Sequence, residues 1–426
     1  MTDTKNVSSG KPLTLADIGL RNSALNNKCD NQQLIAIPTT DQLAVVTHYI
    51  QLRQTQYAQS YNEDAQQLIN QWLSKTNESG DKVCEFDASQ LYLFKDVLNV
   101  PFPAPQKPKF TFVDLFAGIG GFRLAFQNLG GQCVYSSEWD AQAQKTYFAN
   151  YGDMPFGDIT SERTKKFIPD NFDILCGGFP CQAFSIAGYQ KGFEDTRGTL
   201  FFDVAEIIKR KKPKAVYLEN VKNLVAHDKG KTFSTIKKTL EDLGYAVFYK
   251  VMNAMEYANV PQNRERIFIV CFNKEKVQNY SDFEFPEKEP LTRTIHDCID
   301  KNECDAYLFY TEKMSHIKEL QSGITSYDSV YQWRRQYVRE NKSRVCPTLT
   351  ANMGTGGHNV PLILTDRGIR KLSPKECLNF QGYPKEFDFP KGISTAAKYK
   401  QAGNSVVVPL IQKVCKQIIS VLYPTF

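Results

Sequence analysis

Between Phe110 and Phe272 short apolar runs alternate with amphipathic stretches, and this alternation leaves the chain few folds to choose from. Phe110-Thr-Phe-Val-Asp-Leu115 reads as a buried strand, Gly121 to Leu129 as a helix, Gln132 to Ser136 as a strand and Ala141 to Asn150 as a helix. Phe172-Asp-Ile-Leu175 and Ala215-Val-Tyr-Leu218 are further strands. Between them Leu200, Phe201, Val204, Ile207 and Ile208 fall on one helical face, and after them Phe233, Ile236, Leu240 and Leu243 do the same. Ala246 to Met252 and Arg266 to Phe272 complete the run. A strand that must be followed by a helix before the next strand belongs to a parallel sheet wound on both faces, so the expected fold class is α/β, doubly wound.

The pattern also divides the chain. Residues 1–109 are rich in Gln, Asn, Ser and Thr and are expected to form a mostly helical extension: Leu43, Val46, Tyr49, Ile50 and Arg53 are helically spaced, with further helical stretches at Gln66 to Lys75 and Ala88 to Val97. Val100 to Lys109, with four prolines, reads as a stiff linker. Residues 110–272 form the sheet domain, 273–365 a polar, irregular insert, and 366–426 a segment that returns to the sheet with helical signals at Ser373–Phe380 and Val406–Leu422.

Composition narrows the classes. The 426 residues are 42% hydrophobic and 23% charged, which excludes a disordered or fibrous chain. No run of about 18 wholly apolar residues is read as a membrane span, and the first residues lack the apolar core of an export signal, so a cytoplasmic site is expected. The odd number of cysteines, eleven, without a Cys-x-x-Cys, points to reduced thiols. The five histidines do not cluster and no metal is expected. Residues 1–109 carry ten basic and eleven acidic side chains, so the net charge of +6 arises from the remainder, a balance compatible with nucleic acid and equally with solvated lysines.

Four blocks sit where strands end. Phe116-Ala-Gly-Ile-Gly-Gly121 joins a strand to a helix, where glycines let the backbone approach a ligand and helix N–H groups are free. Glu138, twenty residues after Gly118, can hold ribose hydroxyls. A pyrophosphate turn would have glycine at position 123, which is Arg123, so the expected ligand is a nucleoside without pyrophosphate, which S-adenosylmethionine fits better than NAD, with a merely structural tight turn as the plainer alternative. Gly177-Gly-Phe-Pro-Cys-Gln-Ala-Phe-Ser185 places Cys181 after a strand. A lone cysteine is more often inert core, but the glycines and Pro180 argue for an exposed loop. Leu218-Glu-Asn-Val221 ends a strand on a carboxyl, costly unless it has a partner. Gln262-Asn-Arg-Glu-Arg266 sets two arginines before a strand, where surface ion pairs are the plainer reading.

Together with Arg197-Gly-Thr-Leu-Phe-Phe202 and Gln401-Ala-Gly-Asn-Ser-Val406, these blocks resemble, in order, those of DNA (cytosine-5)-methyltransferases of bacterial type II restriction–modification systems, over about 110–272 and 348–422. The resemblance implies an S-adenosylmethionine-dependent methyltransferase sheet with a smaller target-recognition domain at 273–365. It implies methyl transfer to C5 of cytosine in a short duplex sequence, with the base flipped out and Cys181 added at C6. Glu219 would meet the cytosine edge, and Arg264 and Arg266 would orient it. Phe116, Gly118, Gly120, Glu138, Trp139, Asp158, Ile159, Leu200, Asn404 and Val406 would hold S-adenosylmethionine. Pro180, Gln182 and Ser185 would meet the substrate, and the loop from Cys181 to Thr199 would close over the base, with a permanently ordered surface loop as the plainer alternative.

Tyr331 to Arg344 carries five basic side chains against one acid, interleaved with three aromatics. Trp333, Arg334, Arg335, Arg339, Lys342 and Arg344 are therefore expected on DNA, with a solvated basic helix as the plainer alternative, and the glycine-rich Thr355 to Asn359 is expected to reach a groove. The resemblance further implies a monomer, double-stranded DNA as partner, and an endonuclease with the same target that need not bind. Methylation of tRNA is an alternative that the roughly 90-residue insert disfavours, and regulation of transcription through residues 1–109 is another, without a helix-turn-helix signature to support it.

Overall fold

The computed structural model describes residues 39–76, 95–180, 200–314, 316–334, 336–355 and 359–424. Strand β1 (Phe110–Leu115) is buried along its whole length, as is β2 (Gly131–Ser137). With β3 (Ile174–Gly178), β4 (Ala215–Val221), β5 (Tyr245–Asn253), the two-residue β6 (Gln262–Asn263) and β7 (Glu265–Asn273), they supply the main sheet and one minor pairing. The main sheet runs β2-β1-β3-β4-β7-β5. β1 to β4 are parallel, but β7 is antiparallel to both β4 and β5, a departure from the all-parallel sheet that the alternation suggested. The short connection from β5 to β7, with no crossover helix of useful length, is what permits the reversal.

Successive residues on the central strands feed two cores. Phe112, Ile174, Tyr217 and Phe268 point to one face, where Phe122 and Phe126 of helix Gly121–Gln127 and the C-terminal helix Val408–Leu422 cover them. Val113, Leu175, Val216 and Ile269 point to the other, under helices Leu200–Lys211 and Lys231–Asp242. Helix Thr39–Leu52 joins this second core: Val45, Val46 and Ile50 are fully buried together with Val134, Tyr135 and Phe156. Helix Asn62–Thr76 packs beside it, and residues 88–94 of the third expected helix lie outside the described residues.

The insert, together with the first strand of the C-terminal segment, builds a second sheet. Strands β8 (Tyr331–Arg334) and β9 (Tyr337–Glu340) form a hairpin, the two-residue β10 (Cys346–Pro347) pairs with β6, and β11 (Leu362–Thr365) and β12 (Gly368–Lys371) complete the antiparallel order β12-β11-β8-β9. Its small core holds Leu320, Ile324, Tyr331, Trp333, Leu362 and Ile369. The basic stretch expected as a possible helix is thus a hairpin, whose even and odd positions face opposite ways.

One stretch, Thr395–Leu422, is long and apolar enough to meet the length and composition of a membrane span. In the fold it is two helices, Thr395–Asn404 and Val408–Leu422, separated at Ser405, and most of its apolar side chains are buried against the sheet.

Candidate active site

The first turn is shaped by two glycines and one strained residue. Phe116, Gly118 and Gly120 all have positive φ, 54°, 55° and 85°. For Phe116 this costs about 1–2 kcal/mol, which the surrounding bonds must offset. At Gly120 a Cβ would sit 2.2 Å from the Tyr151 ring, whose hydroxyl donates to the Gly120 carbonyl at 2.7 Å. At Gly118 a Cβ would meet nothing within 4 Å, so the turn faces open space there. The Glu138 carboxylate accepts the Gly118 N–H and the Asp140 N–H, both at 2.7 Å. Burial nonetheless raises its pKa, and the two backbone donors act against that shift. Trp139 beside it is 83% exposed. Arg123, where a pyrophosphate turn has glycine, is buried in an ion pair with Asp153 and lies over the Tyr147 and Tyr151 rings.

The remaining candidates for the cofactor come from three further segments. The segment before Asp158 runs alongside the end of β2: Phe156 N–H donates to the Ser136 carbonyl and Glu138 N–H to the Phe156 carbonyl. Asp158 is exposed and its Oδ1 accepts from Thr160 N–H and Oγ1, which fixes the turn, while Ile159 is buried. Leu200 is half-buried at the start of its helix. From the far end of the chain Val406 packs on the turn, since a Cβ at Gly121 would lie 2.6 Å from its Cγ2, and Asn404 is exposed next to it. The cradle therefore has an open glycine backbone, a carboxylate held by backbone N–H groups and an exposed indole, a donor set that fits a nucleoside with an amino-acid tail.

The second group lies at the ends of β3 and β4. Gly178 pairs with Glu219 in register, and a Cβ at Gly178 would stand 3.3 Å from Glu219 Oε2. Glu219 is 8% exposed, and its Oε1 receives Arg266 Nε at 2.9 Å. Arg266 Nη1 is anchored on the Glu265 carbonyl. Asn220, a positioning residue not singled out from the sequence, donates from Nδ2 to the Phe179 carbonyl at 2.8 Å and accepts Val221 N–H at Oδ1. It thereby ties β4 to the chain leaving β3, two residues before Cys181. Pro180 is exposed there, and Cys181, Gln182 and Ser185 lie outside the described residues, as does the rest of the expected closing loop.

Two expectations need correction. Arg264 does not share the orientation of Arg266. It stands between β6 and β7, is 3% exposed, and donates from Nη1 to the Leu349 carbonyl (2.7 Å) and from Nη2 to the Ser405 carbonyl (2.6 Å). It clamps the C-terminal segment onto the sheet and does not touch Glu219. Burial, then the neighbouring Arg266 charge, lowers its pKa. Trp333, expected on DNA, is 7% exposed: it occupies an inward position of β8 and stacks on His316 at 4.9 Å.

The outward positions of the hairpin tell a different story. Gln332 pairs with Arg339 and Arg334 with Tyr337. Gln332, Arg334, Arg339 and Asn341 line a cleft of ≈ 440 Å³ with Lys222, Asn223, Glu265 and Arg266 from the main sheet opposite. Lys342 and Arg344 are exposed and do not line it, and Arg335 and residues 356–358 lie outside the described residues. Of the described cysteines, seven are buried and Cys304 alone is exposed. Burial pushes the Cys133 and Cys298 thiols up to about 12. Among the described residues no group of acidic, histidine or cysteine side chains is arranged to hold a metal ion.

Residues 110–420 match the family of C-5 cytosine-specific DNA methylases. The chain is 51% identical over 308 residues to the type II methyltransferase M.Bsp6I of Bacillus sp. (strain RFL6), covering 71% of this chain and 96% of that protein. It is 46% identical over 358 residues to M.HpaII of Haemophilus parainfluenzae (80% and 97%) and 43% identical over 322 residues to M.HhaI of Haemophilus parahaemolyticus (72% and 93%). In fold it is similar to the S. pombe Dnmt2 methyltransferase, with a TM-score of 0.55 at 18% identity over 75% of this chain and 100% of that one.

Proposed function

Because the chain belongs to the C-5 cytosine-specific DNA methylase family and is a type II DNA cytosine-5-methyltransferase, we propose that it methylates one cytosine of a short duplex sequence through a covalent bond between Cys181 and cytosine C6, with the base turned out of the helix. The observation that carries this reading is the pairing of Gly178 with Glu219, whose carboxylate Arg266 holds at 2.9 Å. It sets a buried, oriented carboxyl beside the strand that leads into Cys181.

Cytosine C5 is too weak a nucleophile to take a methyl group unaided. Addition of the Cys181 thiolate at C6 forms a carbon–sulfur bond and turns C5 into an enamine carbon. Glu219 meets the N3 and amino edge of the base and stabilises the charge that develops as C6 is attacked. Arg266 fixes the rotamer of Glu219, and a positive charge of this kind near the reacting thiol would favour the thiolate. S-adenosylmethionine, when bound, supplies an electrophilic methyl group. Loss of the C5 proton then restores the double bond and expels Cys181 as thiolate. Phe116, Gly118, Gly120, Glu138, Trp139, Asp158, Ile159, Leu200, Asn404 and Val406 hold the donor: Glu138 meets the ribose, Asp158 and Ile159 the adenine edge.

The target base is out of reach inside a duplex, so unstacking it is part of the reaction. The cleft between β8–β9 and the main sheet takes the DNA. Gln332, Arg334 and Arg339 face base edges, Lys342 and Arg344 the phosphates beyond. Methylation of this sequence would block an endonuclease that cuts the same site.

The test is to incubate the full chain with labelled S-adenosylmethionine and mixed duplex DNA, and to sequence for 5-methylcytosine. Label at one cytosine of a recurring short sequence is expected. Label confined to tRNA, or on a base other than cytosine, overturns the reading. Cys181→Ser should abolish transfer while donor affinity stays within about twofold, since the thiol acts on the base.

A further inference from the structure

The helical extension lies outside the matched family region, which begins at residue 110, yet its bonds run to the segments that lead into the donor cradle. Three polar side chains of helix Thr39–Leu52 accept backbone N–H groups from two segments of the sheet domain. Asp41 Oδ1 accepts Gly157 N–H at 2.8 Å, Thr47 Oγ1 accepts Met154 N–H at 3.0 Å, and His48 Nε2 accepts Ser136 N–H at 3.2 Å. His48 Nδ1 lies 2.8 Å from the Ala44 carbonyl, so the ring is the neutral tautomer with Nδ1 as donor. All three side chains are buried, Asp41 at 7%, Thr47 at 0% and His48 at 1% exposure. Tyr61, just after the helix, donates its hydroxyl to the Val134 carbonyl at 2.6 Å.

These bonds have a common geometry. β2 is the edge strand of the main sheet, and its outer N–H and C=O groups would otherwise lack partners. Phe156 takes the Ser136 carbonyl, and His48 and Tyr61 take the Ser136 N–H and the Val134 carbonyl. Residues 154–157 are held on one side by the end of β2, through Ser136 and Glu138, and on the other by Thr47 and Asp41. Both clamped segments lead directly into the candidate nucleoside contacts, Glu138 after β2 and Asp158 and Ile159 after Gly157. A displacement of either by a fraction of an ångström would separate the ribose contact from the adenine contacts.

We infer that helix Thr39–Leu52 is a positioning element for the methyl donor, in which Asp41 and Thr47 set donor affinity by fixing the Gly157–Ile159 turn against Glu138. This rests on the reading of Glu138, Asp158 and Ile159 as the nucleoside contacts. It gives the extension a part in the reaction that requires no contact with DNA.

The experiment uses the full chain with Asp41→Ala, Asp41→Asn, Thr47→Val and, as reference, Glu138→Ala. S-adenosylmethionine binding is measured by calorimetry, and KM for donor, KM for DNA and kcat by steady-state kinetics. Asp41→Ala should weaken donor binding roughly 5- to 20-fold and Thr47→Val about 3- to 10-fold, each having lost one acceptor for a buried N–H. Turnover at saturating donor and KM for DNA should stay within about twofold, because the helix does not touch the reacting base. Asp41→Asn keeps an acceptor oxygen and should recover most of the affinity, which a merely destabilised fold would not do. Asp41→Ala and Thr47→Val that melt like the parent and bind donor normally, while Glu138→Ala loses it, overturn the inference and leave the nucleoside reading standing. Normal binding by Glu138→Ala as well overturns both. Should Asp41→Ala not fold, Thr47→Val against Asp41→Asn decides by the same comparison.

Discussion

Two arginines only two positions apart do different work, and the difference is measurable. Arg266 holds the Glu219 carboxylate, whereas Arg264 spends its guanidinium on the Leu349 and Ser405 carbonyls. Arg264→Met would leave two buried carbonyls without donors and should cost about 2–4 kcal/mol of stability, read as a lower denaturant midpoint. Arg266→Met should leave that midpoint nearly unchanged and instead lower kcat, since the carboxyl loses its orientation. Glu219→Gln should lower kcat about 10²- to 10³-fold with donor affinity unchanged. Equal losses of stability in the two arginine variants would contradict this division. The sequence made both arginines equivalent, because spacing of two implies one face only within a continuous strand. Arg264 precedes β7, so the alternation does not reach it.

At the scale of elements, the run of strands and helices from Phe110 to Phe272 was legible because buried strands read as continuous apolar runs and their covering helices as amphipathic ones. The direction of β7 was not, since periodicity carries no information about which way a strand points. Trp333 was misplaced for a related reason: charge and aromatic content suggested a surface, whereas the alternation of Tyr331 and Trp333 against Gln332 and Arg334 places the rings inside and the polar groups outside. The hairpin's outward face makes a prediction. Arg339→Ala should relax preference at one base pair by roughly 5- to 150-fold, the worth of a bidentate contact to guanine, with other sites still methylated. An unchanged list of methylated sites would remove Arg339 from base reading. Helix Thr39–Leu52 was legible in the helical spacing of Leu43, Val46, Tyr49 and Ile50, but its docking was not, because nothing in the pattern says where Asp41, Thr47 and His48 find their backbone partners. Its docking should also sense pH. Burial lowers the His48 pKa, against the opposing influence of Asp153. A folded pKa below the unfolded value means stability is present above about pH 6.5 and lost as pH falls through the folded pKa, by at most about 1.4 kcal/mol per pH unit. In a titration of the denaturant midpoint from pH 7.5 to 5, His48→Gln should flatten that slope, and a parent slope of zero would contradict it.

At the scale of the whole molecule, the proposed reading residues Gln332, Arg334 and Arg339 on the small sheet face Arg266 on the large one across a single cleft, and Arg266 in turn holds Glu219, the proposed partner of the base. The proposed donor cradle lies at the ends of β1 and β2, and the C-terminal segment that packs on its turn is tied to the sheet domain through Arg264. This arrangement explains why the blocks that carry the chemistry are far apart in the chain yet fall on successive strand ends. The central claim is that Cys181 forms a bond with the cytosine it methylates. It is tested most directly by incubating the protein with S-adenosylmethionine and a duplex carrying 5-fluorocytosine at the methylated position, then separating the products under denaturing conditions. Fluorine at C5 leaves no proton to lose, so the account predicts a denaturant-stable protein–DNA adduct whose cross-linked peptide contains Cys181, and no adduct with Cys181→Ser. Active enzyme that forms no adduct, or an adduct mapped to another cysteine, would contradict it.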